Sequence, residues 1–323
     1  MAGFDALRAA LQGARRVALF AHLSPDGDTI GSCLGAMHAL KGAGLEAHPF
    51  CADLLPPDFG FLEGFSAFSL PFKASGSFDL ALALDVSSPD RLGSARALFE
   101  STPARFCVDH HLGNVFDCGK IVDEKAAATA EIVLELVQAL NLPLTKSAAM
   151  ALYTGLSTDT GNFSFESVRE GTLRAAALCV KCGAEPETIT RTLYRTRNLS
   201  QIKLLGAALS KLETHAAGQI ALIALSEEDR LWAGASESDY EGIVNYAAEL
   251  KGVLAAALLS ERPSGLRCSL RCQAPVDSSK IAALFGGGGH ARAAGMTLQG
   301  FPSLQTAKSA LLHALKGALK KDA

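Results

Sequence analysis

Residues 17–28 of the 323-residue chain read VALFAHLSPDGD, an apolar run that passes directly into a polar loop. The run Val17–Ala21 has the length and composition of a buried strand. The loop after it carries one imidazole, His22, and two carboxylates, Asp26 and Asp28. Its Pro-Asp-Gly sequence also suits a plain polar turn. Because ligands of open α/β sheets bind beyond the carboxyl ends of the strands, the loop is a candidate binding site.

Apolar runs and helical patterns alternate through the first half of the chain. Short strands are predicted over 47–50, 80–84 and 106–108, and helices over 29–43, 91–99, 126–140 and 147–156. Strands that alternate with helices form βαβ units. We therefore predict an α/β fold with a mostly parallel N-terminal sheet.

The second half of the chain opens with a nearly all-helical pattern over 168–216, broken near Gly183 and Asn198, that lacks the Gly/Ser/Pro run of a flexible linker. Strand patterns then restart at 219–225, 253–259, 266–271 and 296–298, with helical patterns over 237–250, 281–285 and 303–319. A chain of this length usually forms about two domains. We expect a domain over 1–195 that includes the start of a helical connector, and a smaller α/β domain over 196–323.

Composition and charge narrow the functional classes. Hydrophobic residues make up 49% of the chain, which excludes a disordered protein. The net charge of −3 argues against a protein that coats long duplex DNA. No apolar run approaches the roughly 18 residues of a membrane helix, and the apolar stretch near the N-terminus is too short for a signal peptide. We expect a cytoplasmic protein without a membrane partner.

Eight cysteines in 323 residues are too few per unit length for a disulfide scaffold, which is shorter and richer in cysteine. Cys179 and Cys182, together with Cys268 and Cys272, could form a zinc site. Packing is the favoured interpretation, because Cys179 lies in an apolar helical stretch and cysteine behaves as a small apolar residue.

Further acidic and imidazole side chains follow the predicted strands. Asp85 ends the run LALAL, Asp109-His110-His111 ends the next strand, and Asp159 follows an apolar helix. Each alone also fits a turn or a helix cap. Because three of the four elements end strands of one sheet, we expect them to converge. Together they supply enough ligands for two divalent ions, the clamp used for in-line displacement at phosphorus. The candidate ligands are His22, Asp26, Asp28, Asp85, His110 and Asp159.

The two adjacent histidines are predicted to divide their roles. On an extended chain His110 and His111 point to opposite faces. One ring would then bind metal while the other contacts substrate, although a solvated pair of loop histidines is the plain alternative.

A glycine-rich segment, Gly286–Gly289 followed by His290, is the second strong signal. It matches neither a Walker nor a Rossmann motif. Consecutive glycines allow close approach of a ligand, and their N–H groups can bind an anion. Arg267 and Arg271 share one face of the preceding strand, and arginine is well matched to phosphate. A tight turn with solvated arginines is the alternative. The candidate substrate-binding residues are Arg267, Arg271, Gly287, Gly288, Gly289 and His290.

These motifs carry a family resemblance. The pattern His22-x-x-x-Asp26-x-Asp28, with Asp85, Asp109-His110-His111 and Asp159, resembles the four motifs of the DHH phosphoesterase superfamily. The segment Gly286–His290 resembles the GGGH motif of the associated C-terminal domain. Order and spacing are most similar to the nanoRNase type, which also acts on 3′-phosphoadenosine 5′-phosphate (pAp). The resemblance covers roughly residues 15–300.

The resemblance implies a fold and a chemistry. The fold is an N-terminal parallel-sheet domain, a helical connector and a smaller C-terminal α/β domain, with a catalytic cleft between the domains. The catalytic candidates are His111, Asp85 and Asp109. One metal ion would be held by His22, Asp26 and Asp85. A second would be held by Asp28, Asp85, His110 and Asp159, with Mn²⁺ usual and Mg²⁺ the alternative.

The implied substrates are short single-stranded oligoribonucleotides of about two to five nucleotides, cleaved to mononucleotides by metal-activated water, and pAp, converted to AMP. A phosphodiesterase for pApA, a RecJ-like single-strand exonuclease and a non-enzymatic nucleotide-binding regulatory module remain open. Dimers are common in the family, which leaves a homodimer open as well.

Overall fold

A computed structural model describes residues 2–321. The chain divides into two compact units between Thr196 and Arg197. Each unit has its own sheet and its own hydrophobic core. Within the described range, no helix combines the length and the apolar character needed to cross a membrane.

The first unit is built on a five-stranded parallel sheet. Its strands are β1 (Arg16–Phe20), β2 (Glu46–Phe50), β3 (Leu80–Leu84), β4 (Ala104–Asp109) and β5 (Gly119–Val122). Their order in the sheet is β2-β1-β3-β4-β5, and every pair of neighbours is parallel. The predicted α/β class and parallel sheet are confirmed. The edge strand β5 was not predicted, because the sequence GKIV is short and half polar.

Helices pack on both sides of this sheet. They are α1 (Ala2–Gly13), α2 (Gly27–Gly42), α3 (Arg96–Ser101), α4 (Thr129–Ala139), α5 (Lys146–Asp159), α6 (Glu170–Lys181) and α7 (Pro186–Thr190), the last followed by a π-helical turn at Arg191–Arg195. The helix predicted over 91–99 is instead a 3₁₀ segment, Pro89–Ala95, continued by α3. The cause is Gly93, whose positive φ of 54° breaks the helical path.

The second unit contains a six-stranded mixed sheet. Its helices are α8 (Leu199–Ser210), α9 (Glu227–Ala233), α10 (Ile243–Ala248), α11 (Ser278–Ala283) and α12 (Leu304–Lys321), and its strands are β6 (Glu213–His215), β7 (Ile220–Leu225), β8 (Ala255–Arg262), β9 (Gly265–Cys272), β10 (Gly288–Gly289) and β11 (Ala293–Leu298). The order is β10-β11-β9-β8-β7-β6, with β7 and β8 parallel and the other neighbours antiparallel.

The helices predicted between the sheets are present, and the chain breaks near Gly183 and Asn198 as predicted, but Glu213–His215 forms strand β6 instead of helix. Helix α6 packs on α5, whereas α8 buries Leu204 and Ala208 with the core of the second unit. The cysteines are free and serve as packing residues: Cys179 lies in the first core, and Cys268 and Cys272 in the second. In the part of the chain that the structure describes, no cysteine joins a group able to hold a metal.

Candidate metal centre

Three neighbouring strands of the first sheet end at one edge. Strand β3 lies between β1 and β4, and all three run in the same direction. His22 follows β1, Asp85 follows β3, and Asp109 is the last residue of β4. The predicted convergence of these elements at one edge is confirmed.

Asp85 adopts a backbone conformation that is uncommon for a residue with a side chain. Its φ is 64°, in the left-handed region. Its N–H donates to the carbonyl of Val108 at 2.9 Å, and its Oδ1 accepts from the Thr129 hydroxyl at 2.9 Å. The carboxylate is buried. A strained and buried acid of this kind persists where the surrounding structure holds it, which is typical of functional sites.

The six predicted ligands lie in two groups, and within each group the candidate ligand atoms are within 4.8 Å of one another. The groups are His22, Asp26 and Asp85, and Asp28, His110 and Asp159. Asp85 faces both: its Oδ2 lies 3.5 Å from Nε2 of His22, and its Oδ1 lies 3.6 Å from Nε2 of His110. One carboxylate therefore presents a separate oxygen to each group.

The far sides of both imidazoles meet backbone carbonyls. Nδ1 of His110 lies 3.2 Å from the carbonyl oxygen of Ala126, and Nδ1 of His22 lies 2.8 Å from that of Leu23. A carbonyl accepts the Nδ1 proton when Nε2 binds a metal ion, and such partners orient ligating histidines. The ring of His110 can thus turn a lone pair on Nε2 toward the carboxylates, whereas Nδ1 of His22 also lies 3.0 Å from Nη2 of Arg91, which is a donor.

Asp28, in the first turn of α2, is completely buried, and its carboxylate faces the N-terminus of helix α4. Its Oδ2 accepts from the N–H of Thr129 at 2.6 Å, and its Oδ1 from the N–H of Ala130 at 2.9 Å. A helix N-terminus stabilises a negative charge. Burial, followed by the charges of Asp85 and Asp159, nevertheless raises the pKa of Asp28 well above its ordinary value. The carboxylates of the site therefore carry more negative charge than the N-terminus of α4 can balance.

The pKa values of the two histidines reflect the same surplus of negative charge. Burial lowers the pKa of His22, but hydrogen bonds to Asp26 and Asp85 outweigh it and raise the pKa to about 10. Burial likewise lowers the pKa of His110, and Asp159 with the other acids raises it to about 10. Without a metal ion the acids therefore keep protons on both rings. The donor set, carboxylate oxygens with imidazole nitrogens around a surplus of negative charge, fits divalent cations.

A row of glycines brings α2 against α5. A Cβ at Gly27 would overlap the side chain of Thr158, one at Gly31 the backbone of Ala151, and one at Gly35 the side chain of Leu152. The three glycines repeat every four residues and so share one face of the helix. This close packing sets Asp28, in the first turn of α2, beside Asp159, the last residue of α5.

Asp109 lies outside both groups. It is fully buried, and its Oδ1 accepts from Nδ1 of His111 at 2.7 Å. Burial raises the pKa of Asp109, but hydrogen bonds from His111 and Asn114 outweigh it and lower the pKa overall. Asp85, His110 and His111 form a third group that could hold a metal ion, but His111 would have to bind the ion through Nδ1. Because Asp109 already bonds it, we assign His111 no ligand role.

The predicted opposite orientation of the two histidines is wrong. The ring centroids of His110 and His111 lie 4.7 Å apart at an interplanar angle of 68°. Strand β4 ends at Asp109, so the alternation of an extended chain does not continue past it. Both rings lie on the same side, His110 against Asp159 and His111 against Asp109.

The glycine-rich segment forms part of the second sheet. Gly288 and Gly289 make up β10, which pairs with β11, so only the first half of the segment is a loop. A cavity of about 740 Å³ lies beside it, lined by Arg267, Gly287 and the rings of Phe285 and Phe301, among others. Of the predicted substrate residues, Arg271, Gly288, Gly289 and His290 do not line this cavity. Arg271 donates to the backbone of Leu270 instead, at 3.0 Å.

Three residues of the centre were not found from the sequence. Thr129 donates to Asp85, and Asn114 donates to Asp109 at 2.7 Å. Arg91 places its Nη2 3.0 Å from Nδ1 of His22. No spacing signal marks Thr129. Asn114, three residues after His111, lies in a polar loop whose path the sequence does not fix, and Arg91, six residues after Asp85, lies in the 3₁₀ segment Pro89–Ala95, which the sequence predicted as an ordinary helix.

Comparisons with known proteins agree with this geometry. The sequence model described as DHH family, N-terminal domain, matches residues 16–156, and that of the DHHA1 domain matches residues 230–321. A Thermus thermophilus protein named bifunctional oligoribonuclease and PAP phosphatase NrnA is 34% identical, over 93% of this chain and 89% of its own length. A Bacillus subtilis protein of the same name is 25% identical, over 87% and 89%.

A solved structure supports the same fold. The crystal structure of an exopolyphosphatase-related protein from Bacteroides fragilis superposes with a TM-score of 0.88 at 26% identity, covering 99% of this chain and 96% of that one. Both family domains match in the expected order, and a relative at 34% identity spans most of both sequences. This chain belongs to the DHH family of metal-dependent phosphoesterases.

Proposed function

We propose that this chain cleaves single-stranded oligoribonucleotides of about two to five nucleotides to mononucleotides, and converts pAp to AMP. The observation that carries the proposal is the convergence of four carboxylates and two imidazoles at one edge of the first sheet. The names of the Thermus and Bacillus relatives support this substrate class.

The six side chains would hold two divalent ions, Mn²⁺ first and Mg²⁺ as the alternative. His22 and Asp26 would bind one, Asp28, His110 and Asp159 the other, and Asp85 both. In support, each oxygen of Asp85 faces a different histidine. Bound there, the ions would lower the pKa of the attacking water and offset charge on the phosphoryl oxygens.

His111 is assigned to the scissile phosphate. Its Nδ1 proton is held by Asp109 at 2.7 Å, which leaves Nε2 for the substrate. A ring oriented in this way can stabilise developing charge or protonate the leaving oxygen. Among the proposed ligands the Asp109 carboxylate bonds only the backbone N–H of His110, at 2.9 Å, and no ligand side chain, so its proposed role is to orient His111.

The second unit would bind the rest of the substrate. We assign residues 1–195 to catalysis and 196–323 to substrate binding. A guanidinium forms paired hydrogen bonds with phosphate oxygens, and glycine N–H groups can approach them closely. Arg267 and Gly287, which line the cavity, are the foremost candidates. The full proposed set is Arg267, Arg271, Gly287, Gly288, Gly289 and His290.

The test is a substrate panel with purified protein and Mn²⁺. Labelled oligoribonucleotides of two, three, five and twenty-four residues, pAp, pApA and single-stranded DNA are compared, with a chelator as the control. We expect the short oligoribonucleotides and pAp to be hydrolysed and the chelator to abolish it. Hydrolysis of pApA or long DNA alone would replace the proposal with the corresponding exonuclease or phosphodiesterase. No hydrolysis of any substrate would overturn it.

Two attributes go with this function. We propose a cytoplasmic location, supported by eight free cysteines in the described chain. A homodimer remains a prediction, and light scattering of the purified protein measures it.

A further inference from the structure

The side-chain amide of Asn114 lies behind Asp109 and His111. Its Nδ2 donates to Oδ2 of Asp109 at 2.7 Å and to the carbonyl of Val86 at 3.0 Å. Its Oδ1 accepts from the N–H of Phe116 at 3.1 Å. Val86 directly follows Asp85, so one amide ties together the chain segments that leave β3 and β4.

The orientation of this amide is fixed by its surroundings. Reversing it would set Oδ1 against the carboxylate of Asp109 and the carbonyl of Val86, and would set Nδ2 against the N–H of Phe116. Carboxylates and carbonyls only accept hydrogen bonds. Asn114 is therefore the donor to Asp109.

The two oxygens of Asp109 serve different partners. Oδ2 accepts from Asn114, and Oδ1 accepts from Nδ1 of His111 at 2.7 Å and from the backbone N–H of His110 at 2.9 Å. Asp109 is fully buried, whereas the His111 side chain is 48% exposed and so gains little restraint from packing. The rotation of the imidazole is set mainly by the carboxylate, and the carboxylate plane is held by Asn114 at Oδ2 and by the backbone N–H of His110 at Oδ1.

We propose that Asn114 is a positioning residue, which fixes Asp109 and through it the His111 ring that meets the scissile phosphate. The inference rests on the proposed function, because that function assigns His111 to the substrate. In the described chain Asn114 makes no hydrogen bond to any of the six proposed metal ligands. Its effect should appear in turnover rather than in metal binding.

A purely structural role is the competing account. The Asn114 side chain also anchors its own loop through Phe116, and Val115 bonds Ser87 at 3.0 Å. Asn114→Asp separates the two accounts. It keeps the shape and the acceptor for Phe116 but removes the donor to Asp109 and to the carbonyl of Val86, so its effect is compared in the presence and absence of His111.

The experiment is a double-mutant cycle on dinucleotide hydrolysis with Mn²⁺. Asn114→Asp and Asn114→Ala should each lower kcat by about tenfold, the size typical of lost orienting partners, and change KM by less than about threefold. In a His111→Ala background the same substitutions should lower kcat by less than about twofold, because effects that act through one group do not add. Mn²⁺ affinity, measured by calorimetry, should stay unchanged.

Other results overturn the inference. Equal losses in the wild-type and His111→Ala backgrounds, or a fully active Asn114→Asp variant, would show that Asn114 does not act through His111. Asn245→Ala, at an exposed position on α10, is the matched control and should leave kcat unchanged. If the wild-type protein hydrolyses none of the substrates, it is the proposed function that fails, independently of Asn114.

Discussion

Gly31 of helix α2 lies directly against the backbone of Ala151 in helix α5, so closely that a Cβ at Gly31 would overlap the carbonyl oxygen of Ala151. A carbonyl oxygen in a helix is held by its own hydrogen bond and cannot move aside cheaply. The same contact sets how near Asp28 and Asp159 come to each other. Packing of two helices and assembly of the metal centre therefore depend on one small residue.

Replacing Gly31 should damage both stability and the centre. Gly31→Ala forces α2 away from α5, and overpacking of this kind lowers the free energy of unfolding by about 1–3 kcal/mol. Because Asp28 moves with α2, Mn²⁺ affinity should fall as well. Chemical denaturation and metal calorimetry measure the two effects.

The matched control is Gly206→Ala in helix α8. A Cβ at Gly206 meets nothing within 4 Å, so this substitution should raise the free energy of unfolding by about 0.5–1 kcal/mol. If Gly31→Ala were as stable as Gly206→Ala and bound Mn²⁺ normally, the packing account of the centre would be wrong.

Removing the charge of Asp85 should abolish turnover. Asp85→Asn keeps the size of the side chain, and asparagine tolerates the positive φ that alanine does not. Since loss of an orienting partner alone costs about 10–100-fold, loss of a bridging carboxylate should lower kcat by more than about 100-fold and reduce the number of bound Mn²⁺ ions.

Asp79→Asn controls for the loss of a carboxylate. Asp79 precedes the same strand, β3, and accepts from the N–H of Arg15 at 2.8 Å, at the opposite end of the sheet. It should keep wild-type kcat and metal stoichiometry. Full activity of Asp85→Asn would exclude Asp85 from the centre.

The sequence was sufficient for the parts of the fold and site that depend on local patterns. Apolar runs such as LALAL before Asp85 located the central strands. Parallel strand direction then implied that His22, Asp85 and Asp109 end at one edge. Neither step requires knowledge of how distant helices pack.

The remaining details depend on tertiary contacts that spacing does not encode. The orientations of His110 and His111 were mispredicted because the end of β4 depends on where its neighbours stop pairing. Asn114 reaches Asp109 only because its loop folds back onto Val86, and the sequence does not show that path. The glycine repeat at 27, 31 and 35 was visible in the sequence, and it could have identified the α2 face that packs on another helix.

Metal binding should release protons. Without metal the pKa values of His22 and His110 are raised to about 10, so both rings carry an extra proton at pH 7.5. Coordination requires the neutral ring, so binding at both histidines should release about two protons, and apparent affinity should rise with pH as proton competition weakens. Calorimetry in buffers of different ionisation enthalpy measures the release. No release, or tighter binding at pH 6 than at pH 8, would contradict the assigned histidine ligands.

The cavity of the second unit should govern substrate affinity through Arg267. Loss of a charge-assisted hydrogen bond costs about 1.5–3 kcal/mol, so Arg267→Ala should raise KM for dinucleotides and pAp by about tenfold or more. Because Arg267 lies on β9, away from the six proposed ligands in sequence and in the other compact unit, kcat and Mn²⁺ affinity should change little. Arg174→Ala, which removes an exposed arginine paired with Glu170 on α6, is the control and should leave KM unchanged. An unchanged KM in Arg267→Ala, measured by steady-state hydrolysis, would exclude this cavity as a substrate-binding site.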